Sequence, residues 1–459
     1  MSPQDTLAQI WRLGGLPAQA LAFATLTGAD PVLPSSFAVG TAAQTGIAAA
    51  ALAACEVGVL RGQSRQQVAV DMAHAATECS AWFSLDGQVA EIWDKFSGLY
   101  RCQDGWVRIH ANFSHHREGA LRLLGLDVAT ATREQAESRL LDWQATAFEE
   151  VAAKAGLVVA ACRSFDAWDA HAQGQAVAAQ PLISFEKIGD APPLPLAGLT
   201  AQDRPLTGLR VLDLTRILAG PVCGRSLAAY GADVMLVNSP NLPNIPSIAD
   251  TSRGKMSCHL DLRNGEGQAA LRQLAAQAQV LVQGYRPQAL AALGFGPQAL
   301  AVVRPGIVYV SLSAYGERGP WAERRGFDSL VQTATGFNHA EMQAAGGTTP
   351  KALPLQILDY ATGHLMAYAA AAAIVKQQQE GGSWHVRLSL AQTGQWLRSL
   401  GRVAHGLAAK RPERTPWLST EASGFGSLTA IRHSAQLART PAVHVRPSMP
   451  PGSHPPRWP

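Results

Sequence analysis

Short apolar stretches rich in β-branched residues alternate with helical patterns in the middle of the chain. The strand-like stretches are 209–214, 233–237, 280–285 and 306–313, and the helical ones are 220–232, 264–278 and 287–303. Strands separated by helices pair in parallel and are covered by those helices on both faces of the sheet. We therefore predict an α/β fold with a Rossmann-like parallel sheet, whose ligands bind at the carboxyl ends of the strands.

The first part of the chain has a different pattern and indicates a smaller α+β domain. We predict helices near 41–61, 64–80, 116–125, 132–140 and 143–155, and a hairpin over 99–113 that turns at Gln103–Gly105. Proline-rich stretches follow this region and end the chain. The chain therefore divides into a helical segment (1–84), a small α+β domain (85–190), a linker (191–207), the sheet domain (208–402) and an extended C-terminal tail (403–459).

The sequence contains an internal repeat, with one copy in the helical segment and the other in the sheet domain. Residues 40–75 can be aligned with residues 357–393, so that Thr45–Gly46 falls on Thr362–Gly363 and an alanine-rich helix follows in each copy. Ala42 then occupies the place of Asp359. We predict that these two helices pack side by side through their alanine faces, within one chain or between two.

Composition excludes several classes of partner. The 459 residues carry a net charge of +4 without a basic run, so nucleic acid is not expected. The longest apolar run, 365–375, is too short to span a bilayer, so no membrane partner is expected either. Six scattered cysteines without a CxxC pair indicate a reducing compartment, and we predict a cytoplasmic protein.

The usual signatures of metal and cofactor chemistry are missing. The sequence has no GxxxxGKS or GxxxxGKT, no GxGxxG after a strand, no HExxH and no GxSxG. The thirteen histidines show no metal-ligand spacing, and we interpret the adjacent pair His115–His116 as solvated surface. We therefore expect no metal and no bound cofactor.

An ordered series of long strings carries a family resemblance. The strings are GLRVLDLTRILAGPVCGRSLAAYGADVMLV (208–237), RGKMSCHLDLRNGEG (253–267), VLVQGYRPQALAALGFG (280–296) and RPGIVYVSLSAYGERGPWAERRGFDSLVQTATGF (304–337). This series resembles the class III coenzyme A transferases, which include formyl-CoA transferase, carnitine-CoA transferase and the α-methylacyl-CoA racemases. The regions 98–112, 155–196 and 428–456 resemble later parts of the same family, so we infer a permuted or tandem-half chain order.

The resemblance implies a chemical role for Asp359. The family's aspartate at this place attacks an acyl-CoA thioester and forms first an anhydride and then an aspartyl-CoA thioester. The chain would then move coenzyme A, a substrate and not a cofactor, between an acyl-CoA and a free carboxylic acid, and it would act as a homodimer. The alternative is that Asp359 is a helix N-cap, worth about 1 kcal/mol.

The resemblance also implies residues that contact coenzyme A. In the turn after the first strand these are Leu218, Ala219 and Gly220, although a glutamine of formyl-CoA transferase falls on Leu218. The remaining candidates are two basic residues that could meet phosphates and four residues at strand ends: Arg253, Lys255, Gly284, Tyr285, Ser313 and Tyr315. For the basic pair, solvated loop charges are an equal alternative, and the strand-end residues could be ordinary packing or capping.

Other functions remain open. The racemase branch needs a histidine in its Ala-Gly-His-Asp motif, and this chain has Arg325–Gly326–Phe327–Asp328, in which Phe327 cannot carry a proton. A nicotinamide oxidoreductase is a second alternative, but this chain lacks the phosphate-binding glycines of that class. A non-catalytic relative of the transferases is the third alternative. The sequence does not identify the acid.

Overall fold

The computed structural model describes residues 1–459. Its sixteen α-helices are α1 Pro3–Gly14, α2 Val39–Leu60, α3 Met72–Glu78, α4 Ser114–Leu123, α5 Arg133–Leu140, α6 Ala145–Lys154, α7 Phe165–Ala170, α8 Ala172–Ala178, α9 Ala219–Ala229, α10 Ile248–Thr251, α11 Gly265–Ala275, α12 Pro297–Val303, α13 Asp328–Ala334, α14 Phe337–Ala344, α15 Ile357–Glu380 and α16 Leu390–Ser399. Four short 3-10 helices cover Ala18–Phe23, Ala291–Leu293, Gly406–Ala408 and Thr415–Trp417.

Seventeen strands form four sheets. They are β1 Ala24–Thr27, β2 Val68–Asp71, β3 Phe83–Leu85, β4 Gln88–Val89, β5 Gly98–Arg101, β6 Trp106–Ile109, β7 Val159–Ala161, β8 Ser184–Gly189, β9 Arg210–Leu214, β10 Asp233–Asn238, β11 Met256–His259, β12 Val280–Gln283, β13 Val308–Ser313, β14 Ser383–Ser389, β15 Leu418–Ser423, β16 Gly426–Ile431 and β17 Ala435–Leu437.

The largest sheet has seven strands in the order β11-β10-β9-β12-β13-β14-β8. All neighbours are parallel except β8, which runs antiparallel at one edge. Alternate side chains along the strands enter two separate cores, with Val211 on one face and Leu212 on the other. The α/β fold with both faces of a mostly parallel sheet covered is therefore confirmed. The sequence predicted four of these seven strands.

The small α+β region has a core of its own. Strands β5, β6 and β7 form an antiparallel sheet, and α4, α5 and α6 contribute side chains such as Leu121, Leu140 and Phe148 to the same core. The predicted hairpin is confirmed, since the N–H of Cys102 donates to the carbonyl of Gly105 across its turn. This core lies within residues 96–161.

One predicted helix of the N-terminal segment is wrong. Residues 64–80 contain a strand, β2, followed by the short helix α3, whose N-cap Asp71 accepts a hydrogen bond from the N–H of His74. Val68 and Val70 are buried between β1 and β17, which come from distant parts of the chain. These non-local pairings override the helical propensity of the surrounding sequence.

The internal repeat is visible as two similar units. In the first unit β1 and β2 are parallel and flank α2, and β17 joins β2 antiparallel. In the second unit β13 and β14 are parallel and flank α15, and β8 joins β14 antiparallel. Each unit therefore takes its antiparallel edge strand from the other half of the chain.

The two alanine-rich helices α2 and α15 pack against each other, as predicted. Both belong to the same core, and alanines such as Ala49 and Ala371 are completely buried. Gly46 of α2 lies against His364 and Ala361 of α15. By length and composition α2 could cross a membrane, but 89% of its most apolar window is buried inside the protein. A helix that is apolar on all sides is expected at the centre of a large core.

The C-terminal tail is more ordered than predicted. It contains the hairpin β15–β16, which adds to β3, and the strand β17. Its last part returns to the sheet domain, where the side chain of Trp458 is buried and its indole N–H donates to the carbonyl of Leu274. Arg446 also forms an ion pair with Asp233 at 2.8 Å.

A buried ionic cluster joins the N-terminal segment, the sheet domain and the tail. Arg225 of α9, 2% exposed, pairs with Asp250 and lies 3.5 Å from Glu78 of α3. Glu78 in turn lies 2.8 Å from Nδ1 of His433 and accepts the N–H of Ser434 at 2.8 Å. Burial opposes the ionisation of Glu78, but His433 and Arg225 outweigh it and hold its pKa well below the usual range.

The equivalent glycines of the repeat provide a test of the central helix packing. A Cβ atom at Gly363 would lie 2.5 Å from the carbonyl oxygen of Ala219 and 2.8 Å from Val222, whereas a Cβ atom at Gly46 would lie 3.5 Å from its nearest neighbour. We predict that Gly363→Ala destabilises the protein by about 1–3 kcal/mol, because the helix must move away from α9. Gly46→Ala, the matched control, should be neutral or stabilising by about 0.5–1 kcal/mol. Thermal unfolding of both variants checks this, and equal midpoints would contradict the packing described.

Candidate active site

A cavity of about 350 Å³ opens at the carboxyl ends of β9, β12 and β13. The chain proceeds from β9 outward to β10 and β11, and then from β12 outward on the other side, so the order of the strands reverses between β9 and β12. Such a reversal point is where open α/β sheets bind ligands. The cavity is therefore at the place that the sequence predicted.

The side chain of Asp359 lines this cavity from the first turn of α15. Helix α15 begins at Ile357 and its N-cap is Gln356, so Asp359 is not the cap and its carboxylate accepts no hydrogen bond from the helix. The residue is 8% exposed, and this exposure is toward the cavity. A buried carboxylate without a partner, facing a cavity, is a candidate for chemistry.

Asp328 holds the first turn of α15 in place from a neighbouring helix. It is completely buried, and its Oδ2 accepts the N–H of Asp359 at 2.9 Å. Its Oδ1 accepts from Nε2 of Gln332 at 2.5 Å, and Gln332 also bonds the backbone of Leu353 and Leu355. The segment that leads into α15 is therefore fixed by two polar side chains of α13.

The two carboxylates influence each other's protonation. Burial raises the pKa of Asp359 well above its usual value, and the neighbouring charge of Asp328 raises it further. Burial also raises the pKa of Asp328, against the hydrogen bonds from Asp359 and Gln332 that lower it. Asp359 is therefore a more basic carboxylate than one in water.

Three arginines without carboxylate partners line the same cavity: Arg216, Arg286 and Arg325. None of them belongs to an ion pair in the chain. Burial lowers the pKa of Arg325, and the like charge of the nearby Arg286 lowers it further. Arg216 has a buried Nε without a hydrogen-bond partner and lies over the ring of Phe113. Such a group of unneutralised cations indicates an anionic ligand.

The small domain completes the wall of the cavity. Phe113, His115 and His116 line it at the start of α4. The interpretation of the histidine pair as solvated surface is wrong for His116, which is buried, whereas His115 is exposed. Burial lowers the pKa of His116 to about 4, with His115, Arg325 and Arg216 acting in the same direction. His116 is therefore neutral near pH 7.

Six of the predicted site residues come together in this cavity. They are Asp359, Leu218, Ala219, Gly284, Tyr285 and Ser313. Tyr315 does not line it but borders a smaller cavity of about 140 Å³ next to β14. Gly220 lies in the first turn of α9, where its Cα is packed against Thr215, so it supports the wall without facing the ligand.

Arg253 and Lys255 are not in the cavity, contrary to the prediction. Lys255 is 1% exposed and its Nζ donates to Asp213 at 2.7 Å. Arg253 is 3% exposed and pairs with Asp250 at 2.5 Å. Both charges are neutralised inside the protein. Exposing Lys255 to a phosphate would leave the buried Asp213 unpaired, and exposing Arg253 would remove one of the two arginines that pair with the buried Asp250.

Most of the charged residues of the cavity were not predicted from the sequence. Arg216, Arg286 and Arg325 were present in the quoted strings, and the first two lie two and three residues beyond the ends of strands β9 and β12. Their position at carboxyl ends of strands was a usable signal. Asp328 was noted only as a neighbour of Phe327, since nothing local in the sequence shows that it reaches Asp359.

Fold and site together define an α/β protein that presents a buried carboxylate and a group of unpaired arginines at the carboxyl edge of a parallel sheet. Comparison with known proteins names the family. Residues 206–425 match the model of CoA-transferase family III. An acyl-CoA transferase of Gibberella moniliformis is 30% identical over 375 residues, which cover 72% of this chain and 65% of that protein. The succinate–glutarate CoA-transferase of Agrobacterium fabrum is 32% identical over 205 residues, or 40% of this chain and 51% of that protein.

One solved structure is similar over part of the chain. The crystal structure of Rv3272 from M. tuberculosis is 30% identical and covers 43% of this chain and 58% of that one, with a TM-score of 0.40. Over residues 206–425 the chain is similar to CoA-transferase family III. It spans less than two thirds of the length of each of these relatives.

The raised pKa of Asp359 has a consequence for stability that does not depend on any activity. Its folded-state pKa lies above the unfolded value, so its ionised form opposes folding at pH values above the unfolded pKa. We predict that Asp359→Asn unfolds at a higher temperature than the wild type at pH 8. Its free energy of unfolding should be greater by about 1.4 kcal/mol for every tenfold by which folding weakens the acidity of Asp359. The difference should vanish at about pH 3, below the unfolded pKa of about 3.9, where both states of the wild type are protonated.

Scanning calorimetry across this pH range measures the effect. Asp190→Asn is the matched control, because the side chain of Asp190 is 99% exposed and its removal should leave the unfolding temperature unchanged. If Asp359→Asn is less stable than the wild type at pH 8, the buried carboxylate is stabilised by a partner and the electrostatic description is wrong.

Proposed function

We propose that the chain is a CoA-transferase that moves coenzyme A between an acyl-CoA and a free carboxylic acid, with Asp359 as the nucleophile. The observation that carries this proposal is the Asp359 carboxylate, which faces a cavity at the reversal point of the sheet without a partner inside the chain. The unpaired Arg216, Arg286 and Arg325 support it, because coenzyme A carries phosphates. The family match and the transferase names of the relatives agree with it.

The proposed chemistry needs only a carboxylate and a thioester. An oxygen of Asp359 attacks the thioester carbon, the C–S bond breaks, and a mixed anhydride and the CoA thiolate result. The thiolate attacks the aspartyl carbonyl of the anhydride and releases the first acid, which leaves an aspartyl-CoA thioester. The incoming carboxylate attacks this thioester to form a new anhydride, and the thiolate then takes the new acyl group and regenerates Asp359.

The start of α9 offers backbone donors for the tetrahedral intermediates. Its first N–H groups, at Ala219 and Gly220, have no acceptor within the helix, and Leu218 provides no side-chain cap. Ile217 in the preceding turn has a φ of 76°, a conformation that costs energy for a β-branched residue and is characteristic of functional sites. We propose that the N–H of Ala219, the one of these two residues that lines the cavity, stabilises the oxyanion.

The racemase alternative is less well supported. Phe327 lines the cavity where the racemase branch has a histidine, and a phenyl ring carries no titratable proton. Incorporation of deuterium at the α-carbon, measured in the same reaction mixtures in heavy water, distinguishes racemase chemistry from CoA transfer.

We also propose a homodimer in a reducing cytoplasm and a tandem origin of the chain. All six cysteines are free, and five of them are buried. The two strand–helix–strand units that exchange edge strands support the tandem origin. The Gibberella moniliformis relative aligns with 72% of this chain, more than residues 206 to 459 can supply, so it shares part of the N-terminal half. Light scattering measures the oligomeric state.

Replacement of the nucleophile should abolish transfer without unfolding the protein. We predict that Asp359→Asn and Asp359→Ala reduce CoA transfer to background, because no anhydride can form. Mass spectrometry of the wild type, incubated with acyl-CoA and trapped with hydroxylamine, should place the adduct on the peptide that contains Asp359. Asp190→Asn should retain full activity. Full activity in Asp359→Asn, or an adduct on another residue, would refute the assignment.

The arginine group should determine the affinity for acyl-CoA. We predict that Arg216→Met, Arg286→Met and Arg325→Met each raise KM for acyl-CoA about ten- to hundredfold with a smaller change in kcat, since each loses one charge-assisted contact of about 1.5–3 kcal/mol. The wild-type KM should also rise with ionic strength. Arg263→Met, at an arginine whose side chain is 70% exposed and outside the cavity, is the control. An unchanged KM in all three variants would show that these arginines do not bind the phosphates of coenzyme A.

A further inference from the structure

A second cavity, of about 250 Å³, lies beside the cavity of Asp359. Side chains of β12, β13 and β14 form its floor, and residues from the segment 286–298 form its roof. The two cavities share Arg286 and Pro287 in their linings and no other residue. Gln288 in the roof has a φ of 68°, a conformation that costs energy for a residue with a side chain and is characteristic of functional sites.

The strand register places a row of polar side chains across the floor of this second cavity. Gln283 of β12 is paired with Ser311 of β13, and Ser311 with Arg387 of β14, so the three lie side by side. Neighbouring strands are about 4.8 Å apart, so β12 and β14 are separated by about 10 Å. On the same face, Leu281 and Tyr309 belong to an apolar core. The sheet face therefore changes from apolar to polar where the cavity lies.

The hydroxyl group of Ser311 is oriented by two neighbouring side chains. Nη1 of Arg387 lies 3.3 Å from Nδ1 of His385, and Nε2 of His385 lies 2.8 Å from Oγ of Ser311. Burial lowers the pKa of His385 to about 4, and Arg387 acts in the same direction, so the ring is neutral near pH 7. A guanidinium group can only donate, so Nδ1 accepts and the proton on Nε2 is donated to Ser311. The hydroxyl proton of Ser311 then has no acceptor in the chain and is available for a ligand.

Gln283 provides a second donor next to Ser311. Its residue is 7% exposed, and its Oε1 accepts the N–H of Tyr285 at 2.9 Å. No hydrogen bond of the chain involves its Nε2, although the side chain lines the cavity. A buried amide nitrogen without an acceptor is costly unless a ligand or water accepts from it. Arg286, which forms no ion pair, lines the same cavity, so this side suits a carboxylate.

The side of the cavity near β14 carries negative charge instead. Arg387 pairs with Glu186 at 2.6 Å, and a carboxylate oxygen of Glu317 lies 3.9 Å from Nε of the same guanidinium without a hydrogen bond to it. All three residues line the cavity. Two carboxylates therefore share one arginine, and one negative charge is left without compensation. A cationic group of a ligand would compensate it.

We propose that the second cavity binds a zwitterionic ω-amino acid, with the carboxylate on Gln283 and Ser311 and the ammonium group on Glu317. The donors are on β12 and β13 and the negative charge is near β14, so the two charged ends of the ligand lie further apart than those of an α-amino acid. The site does not depend on the proposed transferase function, because none of these three residues lines the cavity of Asp359.

Calorimetric titration with three probes of equal chain length tests the proposal. 5-Aminopentanoate carries both charges, pentanoate carries only the carboxylate, and pentylamine carries only the ammonium group. We expect 5-aminopentanoate to bind about ten- to hundredfold more tightly than either, because each of the others loses one charge-assisted contact. A series from 3-aminopropanoate to 6-aminohexanoate identifies the length that fits best. If no member of the series binds, or if pentanoate binds as tightly as the best of them, the proposal is overturned.

Two variants test whether the binding is in this cavity. Glu317→Gln should lower the affinity for the best ω-amino acid to that of the simple acid of the same length, and Gln283→Leu should lower it at least tenfold. Glu413→Gln, at an exposed glutamate outside both cavities, is the control and should bind like the wild type.

Thermal unfolding shows whether each variant is folded. Glu317 is exposed, so Glu317→Gln decides the matter even if Gln283→Leu does not fold. An affinity that is unchanged in Glu317→Gln shows that the amino acid binds elsewhere and overturns the proposal. CoA transfer, measured on the same preparations, is a separate result: a protein that transfers CoA but binds no ω-amino acid contradicts this site alone.

Discussion

The close packing of α2 and α15 is the constraint on which the rest of the structure depends. Both helices are buried on nearly all sides, and alanine is the main residue that lets two such helices approach each other and their neighbours. Gly363 lies against the carbonyl of Ala219 at the start of α9, so the same packing fixes the distance between α15 and the turn that lines the cavity. The position of Asp359 relative to the ends of β9 and β12 therefore follows from small residues in the core, and it needs no contact made by the carboxylate itself.

Charge is distributed in two different ways in this protein. The arginines and the lysine that hold its parts together, Arg225, Arg253 and Lys255, are buried and paired with carboxylates. The arginines of the cavity, Arg216, Arg286 and Arg325, have no carboxylate partner. A buried charge that lost its partner would cost several kcal/mol, so the first group is structural. The second group keeps its charge available for a ligand, and that difference in pairing distinguishes a binding site from an ionic cluster of the core.

Local patterns in the sequence were sufficient for the parts of the fold that depend on local physics. The alternation of strands and helices predicted the sheet and the edge where the cavity lies, and the repeat predicted the contact of α2 with α15. The same repeat aligns Val68 and Val70 with Val386 and Leu388 of β14. This alignment indicated the strand β2, although the local pattern of residues 64–80 indicated a helix. Strands β2, β8 and β17 depend on partners from distant parts of the chain, which periodicity does not show. The assignment of Arg253 and Lys255 to the ligand failed for a similar reason, since a sequence shows a charge but does not show that Asp250 or Asp213 already neutralises it.

The exchange of edge strands has a consequence for the biosynthesis of the protein. Strand β2, near the start of the chain, is completed by β17, and β17 ends at Leu437. While the ribosome is still adding the sheet domain, the nascent chain exposes an unpaired edge at β2 and a tail that would cover Asp233 has not emerged. The last step of folding must therefore wait until β17 has left the ribosome, and a polypeptide that terminates before β17 would present an open strand edge to any neighbouring protein.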